Sequence, residues 1–274
     1  MVYTHLAISG GGTKGIACVG SLLYLEKHNV LKDVRFFLGT SIGSVICSLL
    51  TVFDMDRILN SIHILTCLSF DNVDLKTLFT HYGILSKKSL IKNIDNLFCT
   101  VFSDSPTFSD LYSYSNKELT ITALNLNTRC IEFFNHTSAP NMKVVDAISM
   151  SINIPLLFEM ERYNGNVYVD AGLINNMSWH YFSSVSDKNK IGIYMVHDYK
   201  QRFEIKNLSG YLMSIIECVF LHSFRTYEES LPPSSVIFLK DTTSVFDLSP
   251  TKDTIRRLLN IGHDEAQLYL KKTI

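Results

Sequence analysis

Short, almost uniformly apolar runs alternate along the chain with longer stretches whose apolar residues recur at helical spacing. VYTHLAI (2–8) reads as a strand buried on both faces, followed by a glycine loop and an amphipathic helix from about 15 to 28. VRFFLG (34–39) predicts a second strand and GSVICSLLTVF (43–53) a second helix. Strand–helix–strand–helix order argues for an α/β fold, a parallel sheet with helices packed on its faces.

Between 54 and about 105 the apolar positions stay periodic while strand-like runs become scarce, which predicts a helical insertion or cap. Thr107 is placed to cap a short helix FSDLY. KELTITALNL (117–126) alternates as a strand, Asn127-Thr128 turns the chain, and CIEFFNH (130–136) returns. VVDAISMSIN (144–153) has helical spacing and stops before Pro155, and the Asn164-Gly165 turn leads into NVYVDAG (166–172) as a strand. KIGIYMVH (190–197) and SSVIFLK (234–240) are further strands, separated by a helix near 208–230. A last helix runs from about 251 to 272, with Ile255, Leu258, Leu259, Ala266 and Tyr269 on one face. No repeat, low-complexity tract or linker divides the chain, so a single domain over 1–274 is expected.

Composition narrows the classes of partner. A hydrophobic content of 46% supports a sizeable core, and a formal net charge of -1 leaves no basic footprint for nucleic acid. Cys18, Cys47, Cys67, Cys99, Cys130 and Cys218 are scattered singly, without metal-ligand spacing, and read as reduced thiols in a core. The N-terminus has no basic n-region. The apolar run 43–53 is too short to cross a bilayer and 208–224 carries Glu217 and His222, so both read as buried helices. A cytoplasmic protein is expected.

The candidate chemistry begins in SGGGTKG, where Gly10, Gly12 and Gly15 spell G-x-G-x-x-G. A dinucleotide site also needs an acidic residue closing the second strand, to bind the ribose. That strand instead ends LGTSIG, and Asp33 stands at its other end. A phosphate loop of the G-x4-G-K type fails too, because Lys14 is followed by Gly15. GTSIG is itself G-x-S-x-G between a strand and an apolar helix, the context of a nucleophile elbow. Gly39 and Gly43 satisfy the need for small residues in that tight turn, and Ser41 would project at a helix N-terminus, where partial positive charge favours a developing anion. In a parallel sheet the Gly10, Gly11 and Gly12 amides would open at the same edge and could form an oxyanion hole, with Lys14 adding positive charge. For the base, Asp170 in YVDAG is the best acidic candidate, provided that burial raises its pKa. A triad using His180, His197, His222 or His263 is the alternative.

Taken as a set, SGGGTKG, GTSIG about 25 residues later, LTITALNLNT, VVDAISMSINIP and YVDAGLINN resemble the patatin-like phospholipase family, over residues from about 5 to 185. The resemblance implies a three-layer α/β/α sandwich with a mainly parallel central sheet. It implies a Ser41–Asp170 dyad, an oxyanion hole at Gly10, Gly11 and Gly12 with Lys14 in a basic position, and no catalytic histidine, metal or cofactor. The implied reaction is phospholipase A-type hydrolysis of acyl esters, on phospholipid or another acyl lipid. Peripheral membrane contact follows from such a substrate, and some members of the family need a protein activator. Ala171, Ser149 and Ser178 depart from residues common in the family. If the position of Ala171 required positive φ, alanine there would cost about 1–2 kcal/mol. That departure keeps open a lipid-binding pseudoenzyme of the same fold, and a dinucleotide-binding oxidoreductase is the weaker alternative.

Overall fold

The computed structural model describes residues 2–66, 75–197, 205–242 and 250–273. Cys67 and the 67–74 part of the expected helical segment lie outside them, as does the His197 side chain. In chain order the elements are β1 (His5–Ile8), α1 (Gly15–Lys27), β2 (Phe36–Thr40), α2 (Ile42–Val52) and α3 (Met55–Asn60). Then come α4 (Leu75–His81), β3 (Gly83–Leu85), α5 (Lys88–Phe98), α6 (Phe108–Ser115), β4 (Glu118–Asn125) and β5 (Cys130–Phe134). These are followed by α7 (Val144–Ser151), β6 (Leu156–Phe158), β7 (Glu161–Tyr163), β8 (Asn166–Asp170), β9 (Lys190–His197), α8 (Leu208–Ser230), β10 (Val236–Asp241) and α9 (Lys252–Thr273).

The main sheet has eight strands in the order β10-β9-β1-β2-β4-β8-β7, with β5 also paired to β4. From β10 to β4 every pairing is parallel, and β4–β5, β4–β8 and β8–β7 are antiparallel. Alternation along β1 separates two cores. Leu6 and Ile8 pack with buried residues of α1, α2, α5, α7 and α9, whereas Ala7 joins Leu38, Met177, Phe182 and Tyr194 on the other side. Tyr194 donates its hydroxyl to the Phe224 carbonyl of α8 at 2.7 Å, which ties that helix to the second face. The result is a mainly parallel sheet flanked by helices.

Helix α1 differs from the amphipathic expectation: Gly15 through Leu22 are all buried. The side turned away from the sheet is covered by α9, and Ser21 Oγ donates to Gly262 O across that contact at 2.8 Å. A helix sandwiched between two layers needs no polar face. Thr107 does cap α6, in a reciprocal capping box with Asp110. Segment 54–105 contains α3, α4 and α5, with Leu90, Ile94, Leu97 and Phe98 of α5 buried. It also contributes β3, which pairs with β6 in a second, two-stranded sheet. The cysteine expectation holds for Cys18 and Cys47, but Cys99, Cys130 and Cys218 are exposed.

One feature of the sheet places the site. β5 runs along one edge of β4 from Ile121 to Asn125, so β2 and β8 must share the other edge. β2 occupies it up to Thr40 opposite Thr122, and β8 arrives from the opposite direction to end with Asp170 opposite Ala123. Two strands running toward each other thus finish at adjacent positions of one strand, and Ser41 is the residue after Thr40.

Candidate active site

Ser41 has φ 55 and ψ -128, a backbone conformation that L-residues rarely adopt, between the end of β2 and the first turn of α2. The turn is held from three directions. Ser44 donates both its N–H and its hydroxyl to the Ser41 carbonyl, at 2.8 and 2.6 Å. Ser41 N–H donates to Ser151 Oγ at the end of α7, at 2.9 Å. A side chain at Gly43 would put its Cβ 2.2 Å from the Ile8 carbonyl oxygen, so α2 can sit this close to β1 only with glycine there. Strain of about 1–3 kcal/mol survives only where surrounding contacts over-determine it, as they do here.

Asp170 is buried and lines one cavity with Ser41. Desolvation lifts its carboxyl to about 7, against the opposing pull of the Ser41 hydroxyl and of the Gly172 N–H. That N–H donates to Asp170 Oδ1 at 2.8 Å. Ala171 begins a single 3₁₀ turn, Ala171–Leu173, and is not at positive φ. The expected alanine strain is therefore absent, because the chain bends through Asp170 and this turn.

The same cavity is lined by Gly10, Gly11, Gly12, Ser41, Asp170 and Asn176, with Ile154, Phe220 and Phe224 as its apolar wall, and its volume is about 20 Å³. The three glycines do not play one role. Gly10 N–H donates to the Asn176 carbonyl at 3.2 Å, leaving Gly11 and Gly12 as the candidates for binding an anion. What Gly10 contributes is its missing side chain, since a Cβ there would lie 2.9 Å from Ser41 Cβ. The Gly10 carbonyl accepts from Ser9 Oγ at 2.9 Å and from Asn176 Nδ2 at 3.2 Å. Across the planar trans peptide this clamp also fixes the direction of the Gly11 N–H.

Lys14 stands apart from the expectation. Its side chain is buried and Nζ donates to the Asp241 carbonyl at the end of β10, at 2.9 Å, and it does not line the cavity. A long side chain leaving the first helical turn reaches across to the neighbouring strand end and satisfies a backbone carbonyl there. Among the described residues no histidine lines the cavity: His222 and His263 are exposed, and His180 sits edge-on to Phe133.

A hydrogen-bonded network braces Asp170 from behind. Asn153 accepts the Asp170 N–H on its carbonyl at 2.9 Å, and its side chain donates to the Tyr168 carbonyl at 2.9 Å. Lys87, nearly fully buried, donates to Asn153 Oδ1 at 2.7 Å and pairs with Glu161 Oε2 at 2.9 Å. Ser149 donates to the same Glu161 oxygen at 2.6 Å. The end of α7 and the two residues after it thus support both halves of the site, Ser151 under Ser41 and Asn153 under Asp170. Ser149, Ser151 and Asn153 lie in the VVDAISMSINIP segment, but nothing in the sequence pairs that segment with Lys87 and Glu161.

A family model described as patatin-like phospholipase matches residues 6–183. The chain is 29% identical over 185 residues to the "Probable lipid hydrolase 463L" of Invertebrate iridescent virus 6, covering 64% of this chain and 61% of that protein. It is 26% identical over 227 residues to "Uncharacterized protein R571" of Acanthamoeba polyphaga mimivirus, covering 77% of this chain and 74% of the other. Among solved structures, VipD from Legionella pneumophila superposes on 100% of this chain with a TM-score of 0.68 at 16% identity, over 67% of its own length. The type III effector protein ExoU does so with a TM-score of 0.56, also at 16% identity, over 53% of its own length. These two likenesses are of fold, and the match to the iridescent-virus relative spans less than two thirds of that protein.

Proposed function

Since the chain belongs to the patatin-like phospholipase family, we propose that it hydrolyses acyl esters of lipids through an acyl-enzyme on Ser41, with Asp170 as the general base. The observation that carries this reading is a buried carboxyl, raised to about 7, that lines one small cavity with Ser41. A carboxylate near 4 is a feeble base for an alcohol, and one near 7 is matched to proton transfer at neutral pH. Asp170 takes the Ser41 proton as Oγ attacks the ester carbonyl, and the Gly11 and Gly12 amides stabilise the oxyanion. The proton passes to the departing lysolipid or alcohol, and water attacking the acyl-enzyme releases the fatty acid.

The substrate class fits the wall of the cavity. Phe220 and Phe224 of α8 close it down to about 20 Å³, room for one water rather than an acyl chain. An acyl chain therefore needs the Phe220 and Phe224 side chains to move aside. Tyr211, Ile215 and Val219 lie exposed along another face of that helix and would meet the lipid surface. Among the described residues no helix is long and apolar enough to cross a membrane, so contact of this kind would be peripheral.

The test is release of labelled fatty acid from phospholipid vesicles, beside covalent labelling by a fluorophosphonate probe. Wild type should do both and Ser41→Ala neither. Release that survives in Ser41→Ala would mean that another nucleophile does the work.

A further inference from the structure

Asn176 is fully buried at the wall of the catalytic cavity, and its two amide atoms have different fates. Nδ2 donates to the Gly10 carbonyl, while Oδ1 has no hydrogen-bond partner among the described residues. A flip of the amide would bring two carbonyl oxygens together at Gly10, so the backbone contact keeps Oδ1 where it is. A buried acceptor without a partner costs free energy unless something donates to it during function.

The position of that oxygen says what the donor is. A side chain at Gly172 would put its Cβ 3.0 Å from Asp170 Oδ1 and 3.1 Å from Asn176 Oδ1, so the two oxygens converge on the bare face of Gly172. A Cβ on Gly10 would lie 2.5 Å from Asn176 Oδ1, 2.9 Å from Ser41 Cβ and 3.6 Å from Ser41 Oγ, which puts the same oxygen beside the nucleophile. Two acceptors flanking a serine, with space for a single water, suit a donor that has two protons to give.

We infer that Asn176 Oδ1 holds the water that hydrolyses the acyl-enzyme, and so sets the preference for hydrolysis over acyl transfer. This rests on the Ser41 acyl-enzyme proposed above. One water proton goes to Asp170 as the water oxygen bonds to the acyl carbon. The other remains on that oxygen and donates to Asn176 Oδ1. Collapse of the tetrahedral intermediate breaks the acyl carbon–Oγ bond, and Asp170 returns its proton to Ser41, leaving a fatty acid. An alcohol acceptor has carbon where water has its second proton, and it cannot make the Asn176 contact. Asn176 thereby favours water over alcohols of similar reactivity.

The experiment uses a p-nitrophenyl ester with methanol as competing acceptor, and measures the ratio of fatty acid to methyl ester. Stopped-flow nitrophenol release gives acylation separately. Asn176→Ala should lower the acid-to-ester ratio about tenfold, the scale of one hydrogen bond, and slow deacylation more than acylation. Asn176→Asp keeps an oxygen facing the cavity and replaces the donor to Gly10 with a second oxygen. The variant also adds a carboxyl near Asp170, which alters both rates but not the partition between two acceptors activated by the same base. It should keep the wild-type ratio even if its rates fall, and it keeps the inference testable if the alanine variant does not fold. An unchanged ratio in Asn176→Ala, or a ratio lowered equally in both variants, overturns the inference and leaves Asn176 as a clamp on Gly10. Wild type that neither labels at Ser41 nor shows a burst overturns the underlying acyl-enzyme reading instead, and this inference with it.

Discussion

Lowering the pH from about 8 to about 5 titrates the one carboxyl on which the proposed chemistry turns, and two separate measurements should register it. Burial holds Asp170 near 7 in the folded protein, against 3.8 for an ordinary aspartate. A general base works through its ionised fraction, so kcat/KM on a soluble ester should be level above about pH 8. It should fall tenfold per pH step below about 7, reaching about a hundredth of the plateau near pH 5. Stability carries the second signature. Between 3.8 and about 7 the native state keeps a proton that the unfolded chain has released. The stability this group contributes is therefore fully present below 3.8 and is lost as pH rises through about 7. The whole loss is about 4 kcal/mol, and about 3 kcal/mol of it falls between pH 5 and 8. Asp170→Asn does not titrate and escapes it. The Tm of the variant relative to wild type should therefore rise by about 5–10 °C between those pH values, in thermal melts of both proteins. Rates that stay level down to pH 5, or a Tm difference that ignores pH, would refute both the burial of this charge and its role as base.

Two further predictions concern the scaffold around the dyad. Lys87→Met should cost about 2–3 kcal/mol in urea unfolding, less than for a wholly buried pair because the Glu161 side chain is 30% exposed; equal stability would mean the ion pair braces nothing. Ala171→Gly should lower stability by about 1 kcal/mol, because it adds unfolded-chain entropy at a position that needs no positive φ. A stabilised glycine variant would show that the turn is strained after all.

Much of the fold could be read from the sequence, for a physical reason. The strands from β10 to β4 and the helices between them bury long apolar runs, and such runs leave a period that survives in one dimension. β3, β6 and β7 have three residues each, too few for any alternation to register. The bend at Ser41 could be read because close packing demands glycine on either side of it. Asp170 was placed at the end of its strand by the small residues that follow. Other features depended on contacts between distant segments. Gly10 spends its amide on Asn176, Lys14 turns toward Asp241, and Lys87 reaches Asn153 from 66 positions away. A side chain's direction is set by whatever lies opposite it in the folded molecule, and composition and spacing carry no trace of that.

The meeting of β2 and β8 on one edge of β4 has a consequence for how the protein is made. The hydroxyls of Thr40 and Thr122 that join β2 to β4 are 82 residues apart, and the bond from Ser41 to Ser151 spans 110. Contacts of such span form slowly, since the chain must close large loops before they stabilise anything. Asp170 has no place beside Ser41 until β4 is laid down, and Gly10 has none beside Asn176 until the last of these strands is home. A nascent or collapsed chain would hold each reactive residue without the reactive pair. Fluorophosphonate labelling of Ser41 would then report the completion of folding, and the proposed hydrolysis could not begin before that moment.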